Sequence, residues 1–133
     1  MISLKKYLIL YFFFFRKMNF SEPIKLQNSQ LKWSDCGHLL ASSCGTRTSI
    51  WDAASIEVLE VFTSKECIDY IEFSPDSNFI LAANYSGGVV HLFSINSPEW
   101  SGRIYEGMGG ILKVEWSQDS RHIITTSGQI FYK

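Results

Sequence analysis

Residues 73–94, FSPDSNFILAANYSGGVVHLFS, hold two apolar runs, a polar turn before the first and a Gly-Gly turn between them. The first run, Phe79–Asn84, and the second, Val89–Ser94, are each six residues long and rich in β-branched and small apolar side chains. Such runs bounded by Gly, Pro, Asp and Ser read as two strands of a hairpin. A hairpin alone buries too little apolar surface to persist in water. The stretch must therefore be part of a larger sheet.

It recurs. LKWSDCGHLLASSCGTRTSIWD from Leu31 and VEWSQDSRHIITTSGQIFYK from Val114 carry the same order of parts. Each has an aromatic residue, a serine, a polar turn around an aspartate, and then an apolar run. Trp33, Phe73 and Trp116 repeat at intervals of 40 and 43 residues, and Trp51 and Phe93 stand 42 apart. A period of 40–45 residues with four short strands per unit is the signature of a β-propeller of the WD40 type. The expected fold class is all-β: a partial WD40-type propeller of about two and a half blades of four-stranded antiparallel sheet. Blade 1 is placed at about residues 27–63, blade 2 at about 67–106 and a partial blade 3 at about 111–133.

Within each unit, KWS, EFS and EWS end an inner strand. The turns SDCGH, SPDSN and SQDSR suit tight reversal, because Asp bonds nearby amides, Pro75 presets its φ and Gly37 accepts a positive one. HLLASS, FILAAN and HIITTS follow as second strands, TSIWD and VVHLFS as third strands, and EVLEVF as an outer strand with one wet face. Trp33, Trp51, Phe73, Phe93 and Trp116 are expected in the blade cores. Two and a half blades leave open sheet faces and unpaired edges, since a blade is covered only by its neighbours. The chain is accordingly read as a truncated product, a gene-model fragment or one part of a larger assembly. Glu22–Leu26 is placed as the outer strand of a closing blade.

Residues 1–17, MISLKKYLILYFFFFRK, differ in texture from the rest. A basic start and a nine-residue apolar run imitate a secretory signal, but no small-residue cleavage site follows. As a helix the run would rise only about 13 Å, far short of a bilayer core. Phe12–Phe15 would cover every face of an amphipathic helix. The segment is read as a non-family extension, disordered or a gene-model artefact, ahead of a start at Met18; a membrane-surface anchor is the alternative.

Composition narrows function. A hydrophobic fraction of 46% and an aromatic fraction of 15% imply a packed core, and a net charge of −1 offers no footprint for nucleic acid. Cys36, Cys44 and Cys67 form no CxxC pair and His38, His91 and His122 are scattered, so no zinc site is expected. The cysteines are read as reduced, half-buried residues of a cytosolic protein. Ser34, Asp35 and His38 lie together on a turn, which is no hydrolytic triad. EGMGGILK, residues 106–113, precedes a strand, so it is a blade-to-blade loop and no phosphate cradle. No catalytic, cofactor-binding or metal residue is assigned. Glu72 and Glu115 occupy one place in two repeats, with Lys32 there in the first, and mark a strand face toward solvent or a partner. Trp100, beside Glu99 on the loop SPEWSG, is either a lid over the core or an anchor for a partner.

MNFSE from Met18, the run IEFSPDSNFILAANYSGGVVHLFSI, SPEW at 97–100, EG at 106–107 and WSQDSRHIITT at 116–126 resemble one family in their order. This is the WD-repeat protein eight family, centrosomal and spindle-pole WD40-repeat proteins also named for overlap with the p-seventy-three gene. The likeness covers residues 18–126. It implies a non-catalytic scaffold for protein partners at the centrosome, microtubule organising centre or spindle pole. The implied partners are a coiled-coil centriolar-satellite or spindle-anchoring protein and, indirectly, microtubules or a minus-end-directed kinesin. Microtubule minus-end anchoring, spindle assembly and cilium assembly are the implied roles, in the cytoplasm and cytoskeleton, with no cofactor, nucleic acid or membrane. SGQIFYK lacks the family's Val-Trp or Ile-Trp ending, and the Gly-His dipeptide before the inner strand is missing. Gly37-His38 falls in the turn after that strand, so the usual His-to-Trp relay has no assignment. A generic WD40 adaptor of a ubiquitin-ligase or translation-factor platform is the alternative.

Overall fold

The computed structural model describes residues 5–8, 11–14, 17–20, 23–27 and 30–128. Gln129–Lys133, the expected start of a third strand in the last repeat, lie outside them, as do Ser21 and Glu22 and several residues of the amino-terminal segment. Fourteen strands and no helix occur among the described residues.

Two complete four-stranded antiparallel meanders form the centre. The first runs β5 (Gln30–Trp33), β6 (Leu39–Cys44), β7 (Arg47–Asp52) and β8 (Val58–Thr63) in sequence order. The second runs β9 (Tyr70–Phe73), β10 (Phe79–Asn84), β11 (Val89–Ser94) and β12 (Ser101–Tyr105). A third unit begins with β13 (Ile111–Trp116) and β14 (Ile123–Ser127). Phe73 stands opposite Ile80 in register, and Trp33 opposite Leu40, so the repeat seen in the sequence is a repeat of pairing. The architecture is that of a partial WD40 propeller.

The period of two along each strand gives the first and second sheets two apolar faces each. Ala41, Ile50 and Phe62 of the first sheet meet Ile71, Phe73, Ile80, Ala82 and Phe93 of the second. Phe62 and Phe93 stack there at 4.6 Å and 8°. Leu81, Ala83 and Val90, on the other face of the second sheet, meet Ile111 and Val114 of the third. Side chains such as Ile80 and Leu81 are wholly buried, each contributing about 1.5–3 kcal/mol by leaving water. Alanines at 41, 82 and 83, also fully buried, let the sheets approach closely.

Each turn after an inner strand places its fourth residue at positive φ: Gly37 at 74°, Ser77 at 60° and Ser120 at 59°. Only the first uses the glycine that this conformation favours. Toward the amino terminus, β1 (Lys5–Leu8) pairs with β4 (Ile24–Gln27), and β2 (Tyr11–Phe14) pairs with β3 (Lys17–Phe20). Ile24 and Leu26 pack on Leu40, covering part of the outward face of the first sheet.

That outward face corrects one expectation. Trp33, anticipated in a blade core, is 52% exposed, whereas its equivalent Phe73 is 6% exposed. Residues at this position point to the sheet before their own, and on that side of the first sheet Ile24 and Leu26 of β4 pack on Leu40 and leave Trp33 half exposed. Trp51 is half-buried and donates its ring N–H to Ser42 Oγ at 2.9 Å. Phe93 is buried and Trp116 half-buried. The cysteines are corrected too: Cys36, Cys44 and Cys67 are all free and exposed, because each sits on a turn, strand end or linker.

Candidate interaction surface

Three groups of polar and aromatic side chains stand at the surfaces that the meanders create. The first is the inner row. Lys32, Glu72 and Glu115 each precede the aromatic anchor on β5, β9 and β13, and the repeat brings them to equivalent places. Lys32 Nζ lies 5.5 Å from the centre of the Tyr70 ring, a cation–π contact between adjacent sheets. Glu72 stands opposite Leu81, and its Oε2 is buried without a hydrogen-bond partner among the described residues. Burial pushes the Glu72 carboxyl above its ordinary value, against the pull of Lys32. Burial, with the neighbouring carboxylate of Glu72, pushes the Tyr70 phenol up to about 12. Glu115 is exposed and pairs with Lys113 at 2.7 Å. The row therefore divides: Glu72 is drawn into an interface, while Lys32 and Glu115 face water.

The second group joins the linker before β9 to the outer half of the same sheet. Glu66 accepts from Arg103 Nη2 at 2.9 Å and lies 2.7 Å from His91 Nε2. The His91 hydrogen bond, with Arg103 adding to it, holds the Glu66 carboxyl below its ordinary value. The sequence offered no signal for this trio, since 25 and 37 residues separate Glu66 from its partners.

The third is aromatic. Trp100 is 47% exposed and its ring meets Phe79 edge-on at 5.6 Å; Phe79 in turn lies 6.3 Å from Trp116. One edge of the Trp100 ring covers Phe79 and the remainder is open. Glu99 beside it is exposed. Phe79, Leu92, Trp100, Ile104, Trp116 and Ile123, with Ser120 and Arg121, line a cleft of about 470 Å³ between the second and third sheets.

Ser34, set aside as a nucleophile, serves the turn: its Oγ accepts from the Leu39 amide at 3.0 Å. Among the described residues no three His, Cys, Asp or Glu side chains gather as metal ligands, and no helix is long and apolar enough to cross a membrane.

Comparison with known proteins gives the following. The chain is 41% identical over 110 residues to WD repeat-containing protein WRAP73 of Mus musculus, a match covering 83% of this chain and 24% of that protein. It is 27% identical over 77 residues to the Serine-threonine kinase receptor-associated protein of Gallus gallus, covering 57% of this chain and 22% of that protein. The Mus musculus form of the latter matches to the same extent. The chain thus spans about a quarter of the length of the curated relatives it matches. No family model matches it.

Proposed function

This chain belongs to the WD-repeat family of which mouse WRAP73 is a member, and from that premise we propose that it is a non-catalytic scaffold at the centrosome or spindle pole. WD-repeat relatives make it a protein-interaction platform; the cellular site is the finer step. Its roles are microtubule minus-end anchoring, mitotic spindle assembly and cilium assembly. Its partner is a coiled-coil protein of the centriolar-satellite or spindle-anchoring class, which links it to microtubules or to a minus-end-directed kinesin. The observation that carries the reading is the 41% identity over most of the chain. It is supported by the order of MNFSE, SPEW and EG noted above, features that a generic blade does not require.

Trp100 and Glu99 on the β11–β12 loop are the proposed partner contacts, with Glu115 on the inner row; Glu72, expected there from the sequence, is drawn in between the sheets and is not among them. The half-open indole supplies apolar area, and the exposed Glu99 and Glu115 supply charge that steers a basic partner. Proximity labelling from dividing cells is expected to recover a coiled-coil satellite or spindle-pole protein, and Trp100→Ala is expected to reduce that recovery severalfold. Recovery of unrelated proteins alone would refute the cellular assignment.

A second reading, a WD40 adaptor of another pathway, has its own observation. The match to the Serine-threonine kinase receptor-associated protein covers more than half of the chain, so much of the likeness is generic to blades. The same labelling separates the two readings.

A further inference from the structure

We propose that the linker of residues 64–69 is a releasable strap. It opens as one unit to admit water to three hydroxyls sealed between the first and second sheets, and the Glu66 carboxylate sets how often it opens. Among the described residues, Ser43 Oγ, Thr48 Oγ1 and Ser64 Oγ are buried with no hydrogen-bond partner. They lie together. Ser43 stands opposite Thr48 in register, and Thr48 opposite Phe62. Ser64 follows Phe62 by two residues, which returns it to the same face. That face looks toward the second sheet, where Phe62 stacks on Phe93. A hydroxyl taken from water and given no partner carries a free-energy cost, and opening relieves it.

The next repeat provides the comparison. The pair Ser43 and Thr48 corresponds to the pair Ala83 and Val90, and Ser64, after β8, to Glu106, after β12. Ala83 and Val90 are wholly buried and carry no polar side-chain atom, while Glu106 accepts from Thr125 Oγ1. The residue in the place of Thr125 one repeat earlier is Ala82, which has no hydroxyl to give. The unpartnered hydroxyls thus belong to the first interface.

The linker closes the end of that interface. The Ser64 amide donates to Thr46 O and the Ile68 amide to Gly45 O, each at 2.8 Å, which ties it to the β6–β7 turn. Cys67 O accepts from Asn84 Nδ2 at 2.7 Å, and the Asp69 amide donates to Ala83 O at 2.8 Å, which ties it to the end of β10. Midway, Glu66 reaches both outer strands of the second sheet, through His91 of β11 and Arg103 of β12, which are register partners. Hydrogen bonds to a charged group are stronger than neutral ones, so this carboxylate is the clasp of the strap. Lys65 and Cys67 on either side of it are exposed.

The inference goes beyond the scaffold reading and does not rest on it. Native-state amide exchange of the full chain tests it, in Glu66→Gln and in the double variant Ser43→Ala/Thr48→Val, which installs the residues of the next repeat. Glu66→Gln keeps the shape of the side chain and removes its charge. It is expected to speed exchange of the Ser64 and Ile68 amides by about tenfold, both by the same factor, and to leave the amides of Leu81 and Ile111 unchanged. The double variant is expected to slow exchange at Ser64 and Ile68 severalfold, because it removes hydroxyls that opening hydrates. Unchanged or unequal exchange at Ser64 and Ile68 in Glu66→Gln overturns the proposal. So does equal acceleration at Leu81 or Ile111, which reports a loosening of the whole chain. Exchange in the double variant as fast as in the native chain, or faster, overturns it as well.

Discussion

The backbone N–H of Asp76 donates to the Oγ of Ser120 at 2.9 Å, tying the turn of the second sheet to the turn of the third. The same bond, from Cys36 N–H to Ser77 Oγ at 3.3 Å, ties the first sheet to the second. Both serines are buried at positive φ, a conformation disfavoured for a residue with a Cβ. The hydroxyl offsets the backbone strain by satisfying an amide of the neighbouring unit. Gly37, the equivalent residue of the first sheet, has no hydroxyl to offer and takes the conformation without strain.

Two substitutions at Ser120 therefore separate bond from strain. Ser120→Ala loses the hydrogen bond and keeps the strained φ, at a cost of about 1–2 kcal/mol. Ser120→Gly loses the same bond but relieves the backbone, so it is expected to cost several tenths of a kcal/mol less than the alanine, roughly the strain released. Urea denaturation of the full chain checks the order. An alanine variant as stable as the glycine variant would show that the φ carries no strain.

Cys36 occupies the place that Asp76 and Asp119 fill in the other turns. Asp76 Oδ1 accepts from Ser74 Oγ and from the Asn78 amide, and Asp119 Oδ1 accepts from Ser117 Oγ and the Arg121 amide. The thiol of Cys36 contacts Ser34 Oγ at 3.2 Å, and this hydrogen bond, with that of Ser77, holds its pKa below the ordinary value. Cys36→Asp restores two acceptor oxygens and is expected to raise stability by about 0.5–1 kcal/mol. In the native chain, iodoacetamide is expected to label Cys36 ahead of Cys44 and Cys67, because the thiolate is the reactive form. Mass spectrometry of briefly labelled protein decides; faster labelling at Cys44 or Cys67 counts against this account.

Glu72 and Tyr70 give stability a direction with pH. Both carry a pKa raised above the unfolded value, chiefly by burial. A raised pKa contributes stability below the unfolded pKa, and that contribution disappears as pH rises through the folded one. For Glu72 the loss begins above its ordinary value of 4.5, so at pH 7 the buried carboxylate opposes folding. Glu72→Gln is expected to be more stable than the native chain at pH 7 by ~0.5 kcal/mol, with the advantage fading toward about pH 4. For Tyr70 the loss runs from the ordinary 10.0 up to about 12. Tyr70→Phe flattens the alkaline decline. Denaturation midpoints across pH measure both, and an advantage of Glu72→Gln that grows in acid would reverse the assignment.

Leu81 and Ile124 hold one position in successive repeats, yet Leu81 is wholly buried and Ile124 is 63% exposed. Leu81→Ala opens a cavity against Ile111 and Val114 and is expected to cost about 2–5 kcal/mol. Ile124→Ala is expected to cost less than about 1 kcal/mol. Equal costs would mean that Ile124 is covered in solution. Chemical denaturation of the two variants provides the comparison.

Strand pairing was legible because its signals are local. Alternation, turn residues and the recurrence of Trp33, Phe73 and Trp116 define where strands begin, and a period near forty defines how they group. The Glu66–His91–Arg103 trio was invisible, since nothing in a sequence without spatial neighbours couples a linker carboxylate to strands 25 and 37 residues away. Trp33 was misplaced for a related reason. Repeat position says which way a side chain points, while burial depends on whether another sheet lies there.

The order of residues alone determined the repeating unit, its all-β character and its kinship, because each unit carries its own hydrophobic period and turn chemistry. The stacking of units decided the rest. It buried Leu81, turned Ser77 and Ser120 into links between sheets, desolvated Glu72, and set Trp100 edge-on against Phe79. Those outcomes arise from contacts across sheets, where dielectric, packing and hydrogen-bond satisfaction depend on the neighbour and no longer on the strand itself.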